Sequence, residues 1–364
     1  MKENLIINKE QEHYSSLDGF RSLSCIGIMM MHIQANTHYQ LNGVLWEKVI
    51  PSFTHLVLLF LMISGFGMCV GYLKKFQEGT INLESFYKRR YLKILPYYSF
   101  LIIIALIYEP SVTNFYEATT ELLLLHGLLP NNALNVIGVS WTLGVIFLFY
   151  FLFPVYSILM KTKRRSLVFL LISLWINFIC TSHYFSSYFV NDLFTARHSF
   201  LWCLPLFIMG GCLYLYRNEI SIICKKLRYV ILFICITVTL LYYISPESIG
   251  NFDIVFYKNF ILYSVWMIYA IGINSKILGN KLMKFLSGIS LEIYLSHMFV
   301  FRFMEKIHLQ YLFGEDSWIS YIVLCLLTLT GLMALIFGYK LAVRILNKYV
   351  ICKILKQKEV TNEQ

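Results

Sequence analysis

Charge is scarce in this chain. Only 14% of its 364 residues are Asp, Glu, Lys or Arg, against about 25% in a typical soluble domain. That shortage excludes an ordinary soluble fold, and the rest of the composition agrees: 58% of residues are hydrophobic and mean hydropathy is +0.64. No polar stretch is long enough to make a second domain of ordinary size. A cleavable leader is not apparent either, because residues 1–16 are polar and the next apolar run has no small-residue cleavage site. The nine cysteines mostly lie in apolar runs without metal-ligand spacing. They are expected to be reduced, with no metal, although Cys180 and Cys203 are placed to meet near one surface. Internal repeats and low-complexity tracts are not evident.

What the chain has instead is apolar length, aromatic residues (26 Tyr and 29 Phe) and a net charge of +11. In a soluble protein that excess would favour nucleic acid. Here the cations gather in short connections between apolar runs, which points to orientation in a membrane and not to nucleic acid. The sequence therefore predicts an all-α integral membrane protein with about ten transmembrane helices in one bundle, each near the ~20 residues needed to cross hydrocarbon. They are placed at 17–35, 52–73, 94–109, 139–160, 166–182, 200–217, 229–245, 254–273, 285–305 and 318–340. One set of connections is rich in Lys and Arg, including Lys74, Lys88, Arg89, Arg90, Lys93, Arg164, Lys225 and Lys281. The alternate set is not, which puts both termini in the cytoplasm. This alternation requires that residues 121–129 do not cross; the run is too short and is read as re-entrant or interfacial. The expected organisation is a cytoplasmic segment 1–16, a membrane domain 17–348 and a cytoplasmic tail 349–364.

Four segments carry polar groups where an apolar span does not need them. In the first, Asp18, Arg21 and His32 lie on one apolar-run helix, with Arg21 and His32 eleven positions apart. That is about three turns, so both project from one face, ~16 Å apart along the axis. Spacing alone favours an Asp18–Arg21 anchor with His32 satisfied by a carbonyl; a general base, which suits an imidazole, stays open. The second segment runs from Lys88 to Tyr97. Its cations set topology or touch anionic lipid, while Arg90 and Lys93, sharing a helix face, would also suit phosphates. The third, Ser140 to Pro154, reads on composition as an interfacial aromatic anchor leading into a span. In the fourth, Ile289 to His297, Glu292 and Ser296 share a face, and two ionisable groups in one span suggest a cavity or structural hydrogen bonding.

In this order the four segments resemble the hallmarks of the acyltransferase-3 family of integral membrane acyltransferases. Leu17-Asp18-Gly19-Phe20-Arg21-Ser22-Leu23, ending in His32, is similar to its opening LDGLRGxA pattern. Arg89-Arg90-Tyr91-Leu92-Lys93-Ile94-Leu95-Pro96 resembles RRxxRxxP. Trp141-Thr142-Leu143 with Phe149-Tyr150-Phe151 and Pro154 resembles WSLxxExxFYLxxP, and Ile289 to His297 resembles ISYxxYLxH. Two positions depart from the pattern: Ile146 stands where relatives often carry Glu, and Lys93 where they often carry Arg.

The resemblance implies transfer of an acyl group, commonly acetyl, from a coenzyme A thioester to a hydroxyl of a cell-surface glycan or its lipid-linked precursor. It implies a multi-pass protein of the bacterial plasma membrane, with acyl-CoA as donor substrate, no bound cofactor, and membrane lipid around it. By the same resemblance His32 would be catalytic, Arg21, Arg89, Arg90 and Lys93 would hold the donor, and Asp18, Trp141, Tyr150, Glu292, Tyr294 and His297 would support the site. Outer-loop residues Asn131, Asn132, Tyr184, Tyr188, Asn191, Asp192 and Arg197 would suit a sugar or a membrane interface. The rival classes are an exporter of a polysaccharide or lipid-linked glycan without acyl transfer, and a non-enzymatic assembly or sensor protein.

Overall fold

The computed structural model describes residues 14–129, 134, 136–249, 252–312, 314 and 316–362, with side chains described up to Tyr349 except at 249, 252 and 253. The described chain is helical apart from one two-residue hairpin, β1 Ser248–Ile249 with β2 Phe252–Asp253. In chain order the helices are α1 Ser15–Thr37, α2 Leu45–Gln77, α3 Leu83–Tyr108, α4 Val112–Leu122, α5 Gly138–Leu159 and α6 Lys163–Tyr184. They continue with α7 Phe200–Leu215, α8 Arg217–Lys226, α9 Arg228–Ile244, α10 Val255–Gly272, α11 Lys281–Gly288, α12 Ser290–Lys306 and α13 Trp318–Asn362.

Six of these are long and apolar enough to cross a membrane: α2, α3, α5, α6, α10 and the Trp318–Tyr349 part of α13. The pair α7 and α8, bent by 72°, makes a seventh if counted as one span. The protein is thus an all-helical, multi-pass membrane protein. A helix lies over each of the ten expected spans, but α1, α7, α9 and α12 do not pass that test singly. For α1 the reason is polarity: at 23 residues it is long enough, but it carries Asp18, Arg21, His32 and Gln34. α12 has 17 residues and carries Glu292, His297, Arg302 and Glu305.

Boundaries differ from the sequence expectation where a cap or a proline was misread. α3 starts at Leu83, eleven residues early, because the Asn82 side chain accepts the Ser85 N–H at 2.8 Å and satisfies a first-turn donor. The basic run 88–93 is therefore helical, and Pro96 lies inside the helix. α2 starts at Leu45, passing from π-helix through one α-turn at Pro51 to a 3-10 turn at Phe53–His55. Such shifts of hydrogen-bond register absorb a proline's missing N–H. Helix α13 runs past residue 340 to Asn362.

Helices α2 and α7 cross in direct backbone contact. A Cβ at Gly65 would strike the Phe207 carbonyl oxygen, and one at Gly210 that of Met62. Small residues let helices approach in this way where lipid supplies no hydrophobic drive. Residues 121–129 do not form a span: α4 ends at Leu122, Leu124 takes a left-handed turn (φ 56°), and His126–Leu128 form a 3-10 turn on the start of α5. Cys180, Cys203 and the other six described cysteines are free thiols.

Candidate active site

At the His32 end of the bundle, α1, α3, α5, α12 and α13 surround a cavity of about 1870 Å³. Its polar end is formed by His32, Asn36, Thr54, Trp141, Arg197, His198 and Tyr294. His32 is half-buried, and its ring makes no hydrogen bond among the described residues. Its backbone carbonyl is occupied, accepting from Asn36 Nδ2 at 2.7 Å. The anchor reading of a histidine satisfied by a carbonyl therefore does not describe this side chain.

His297 packs behind His32 with ring centroids 5.1 Å apart, and is itself only 1% exposed. Its Nδ1 lies 2.6 Å from the Tyr294 carbonyl. A carbonyl only accepts, so Nδ1 carries the proton and Nε2 keeps its lone pair. That Nε2 is buried with no hydrogen-bond partner among the described residues. The Tyr294 hydroxyl donates to the Val139 carbonyl at 2.9 Å and meets the Thr142 hydroxyl, which ties α12 to the start of α5.

Loop residues complete the polar end. A 3-10 turn, Ala196–His198, lays the His198 ring flat on Trp141, with centroids 4.2 Å and planes 20° apart. Arg197 donates to Thr54 Oγ1 at 3.1 Å, its guanidinium carbon sits 5.9 Å from the Trp141 ring, and its charge acts on His32 and Tyr294. No carboxylate is paired with Arg197 among the described residues. Burial, and then Arg197, depress the His198 imidazole to about 4, so it is neutral at ordinary pH. Arg197 was legible only as one of several polar outer-loop residues, and His198 was missed. The available signal was an Arg-His pair directly before an apolar run.

The remaining expected residues lie elsewhere. Arg21, Arg89, Arg90 and Lys93 do not line the cavity. Arg21 donates weakly, at 3.5 Å, to Ser287 Oγ, whose own proton goes to Asp18 at 2.8 Å. Arg90 donates to the Tyr72 hydroxyl at 2.6 Å and lies over the Tyr72 and Tyr150 rings. Tyr150 also meets Ser64 Oγ at 3.0 Å. Arg89 and Lys93 are exposed; Lys93 feels the charges of Arg21, Arg90 and Glu292, and Glu292 is 3.6 Å from Lys340 Nζ. Arg21, Arg90, Lys93 and Glu292 thus form one charged group at the opposite end of α1 from His32. Ile146, where relatives often have Glu, packs half-buried against the apolar core, one turn from Tyr150. Arg90 Nε is buried with no hydrogen-bond partner among the described residues. Of the outer-loop residues, Asn131 and Asn132 lie outside the described residues.

A carboxylate does occur on the cavity side, at Glu121. It is fully buried, accepting from Tyr98 Oη at 2.8 Å and Ile137 N at 3.3 Å. Beside it, His126 Nε2 lies 3.0 Å from the Ser140 carbonyl. Burial pushes the Glu121 carboxyl from 4.5 up to about 7, against the pull of those hydrogen bonds. Between about pH 4.5 and 7 the unfolded chain has lost this proton while the folded chain keeps it. Stability from this group is therefore fully present at low pH and is lost as pH rises through that window. Glu121→Gln keeps an oxygen acceptor and should flatten the fall in melting temperature between pH 5 and pH 8 in purified protein. An unchanged pH dependence in the variant would contradict this.

The fold is thus an all-helical multi-pass bundle with a histidine-bearing cavity at one end and a charged group at the other. The chain belongs to the acyltransferase-3 family: the model of that family, described as an acyltransferase domain, matches residues 14–337. It is a multi-pass membrane acyltransferase. No curated protein and no solved structure gives a significant match.

Proposed function

We propose that this protein moves an acetyl group from acetyl-CoA to a hydroxyl of a cell-surface glycan or its lipid-linked precursor, in a bacterial plasma membrane, with ten spans and both termini in the cytoplasm. The observation that carries this reading is His32: a half-buried imidazole with no hydrogen bond among the described residues, facing a large cavity, about three turns from the Arg21 cation group.

The donor's phosphates would be held at the cytoplasmic end by Arg21, Arg89, Arg90 and Lys93, as charge-assisted contacts. The thioester would extend along the bundle to the cavity. His32 takes the proton of the acceptor hydroxyl as its oxygen bonds to the thioester carbonyl carbon. The carbonyl electron pair moves onto oxygen, then returns as the C–S bond breaks. Coenzyme A leaves as thiolate and recovers a proton from the His32 imidazolium. Arg197, a cation without a carboxylate partner among the described residues, is the group best placed to stabilise the oxyanion. His297 acts as a positioning residue: its Nε2 lone pair is the acceptor available to orient the His32 ring.

The test compares a host's surface glycan with and without the chain. Loss of ester-linked acetyl with the polymer still exported supports the transferase. Loss of the polymer itself supports the exporter instead.

A further inference from the structure

The cavity is larger than the chemistry needs. Small-molecule sites usually span about 300–1,000 Å³, and this one holds about 1870 Å³. The excess lies away from the polar end, in an arm between α3, α12 and α13. On α13 the arm is carved by Gly331, Ala334, Gly338 and Ala342, which fall on one helix face. Gly331 is small for packing, since a Cβ there would press on Val300 Cγ1 at 2.8 Å. At Gly338 nothing lies within 4 Å of a Cβ, so that glycine faces open space. Opposite stand Phe100 and Ile104 of α3 and Phe303 of α12, the last 61% exposed, so the arm opens sideways to lipid.

The rim of the arm carries charges of both signs. Lys306 lies over Tyr108, with Nζ 3.3 Å from its hydroxyl and 5.1 Å from its ring centroid. Arg302 pairs with Glu305 at 2.6 Å and reaches Asn36 Oδ1, one helical turn from His32, at 2.9 Å. Glu109 and Glu305 are the acidic residues at this rim and Arg302 is paired with Glu305, so Lys306 is the rim cation with no carboxylate partner among the described residues. An apolar arm, Lys306 at its rim and a base at the polar end form a sequence: tail, phosphate, sugar hydroxyl.

We propose that the arm holds the lipid tail of the acceptor, so that the sugar is acylated as a phosphate-linked lipid glycan and not as finished polymer. This rests on the acyl-transfer reading for its chemistry but not for its binding. Moving a tail from bilayer to groove gains little, because lipid is as apolar as the groove wall. What the tail supplies is confinement to the membrane plane and a fixed sugar depth, an effective-concentration gain. The phosphate would sit by Lys306 and Arg302, and the hydroxyl by His32.

The experiment uses the full chain in vesicles and a long-chain alkyl-phosphate-linked hexose carrying a diazirine on its tail. Photolabelling is mapped by mass spectrometry, and [14C]acetyl transfer from acetyl-CoA is read in parallel. Labels should fall between Ala334 and Leu346 and between Phe100 and Tyr108. Unlabelled sugar lipid should displace them; phosphatidylglycerol should not. Gly338→Phe should cut labelling, and transfer to the lipid-linked sugar, about tenfold, because the ring would occupy the open space given to the tail. The melting temperature of that variant should stay near wild type. Leu326→Phe, exposed on the same helix but outside the cavity lining, should behave as wild type, which separates filling from misfolding. Labels elsewhere, labels equally displaced by phosphatidylglycerol, or labels unchanged in Gly338→Phe would overturn the proposal. Displacement by palmitoyl-CoA but not by the sugar lipid would assign the arm to a long acyl chain and overturn it too. Specific labelling without any acetyl transfer would leave the lipid site standing and sink the transferase reading.

Discussion

His32→Ala should abolish acyl transfer in the purified protein while insertion and melting stay near wild type. A general base contributes roughly 10²–10⁴-fold in rate. The structural cost of removing this ring is small, because it makes no hydrogen bond among the described residues. The Asn36 bond goes to the His32 backbone and survives the substitution. Polar groups in membrane bundles contribute only ~0.6 kcal/mol on average in any case. His32→Gln, with similar size and polarity but no base, should be equally inactive. Wild-type turnover in either variant, at matched protein level, removes the role given to His32.

Arg197→Ala should lower kcat by about 10²–10³-fold with little change in KM for donor or acceptor, the range seen when an oxyanion donor is removed. It should depress acetyl-CoA hydrolysis without acceptor to a similar degree, because hydrolysis passes through the same oxyanion. Arg197→Lys should recover part of the rate by charge alone, without the planar fork. The cost to the fold is the 3.1 Å bond to Thr54 and the contact with Trp141. If the acceptor KM rises and hydrolysis is untouched, Arg197 binds the acceptor and the oxyanion has another partner.

How much of this was legible follows from what each residue depends on. Segments such as α2, α5 and α10 were readable because hydrophobic length alone specifies a span. The helix start at Asn82 was not, since one side-chain cap sets it eleven residues ahead of the expected span. His32 stood out because a lone imidazole in an apolar run is costly. That His297 would back it could not be read, as nothing local tells a helix 265 residues away which face it presents. The same holds for Arg197, which reaches the site through a loop turn whose direction is set by His198 stacking on Trp141. Conversely, the basic run 88–93 looked like one cluster in sequence. In three dimensions Arg90 turns in to Tyr72 while Arg89 and Lys93 remain exposed.

The most direct test of the central claim is transfer itself. Purified wild-type protein in sealed vesicles would be given [14C]acetyl-CoA on one side and a lipid extract of the host's envelope precursors in the membrane. The account predicts labelled acetyl ester, cleaved by mild alkali, on a sugar hydroxyl in the wild type and none in His32→Ala. Protein that binds the precursor, or moves it across the bilayer, without forming ester in either version would contradict it.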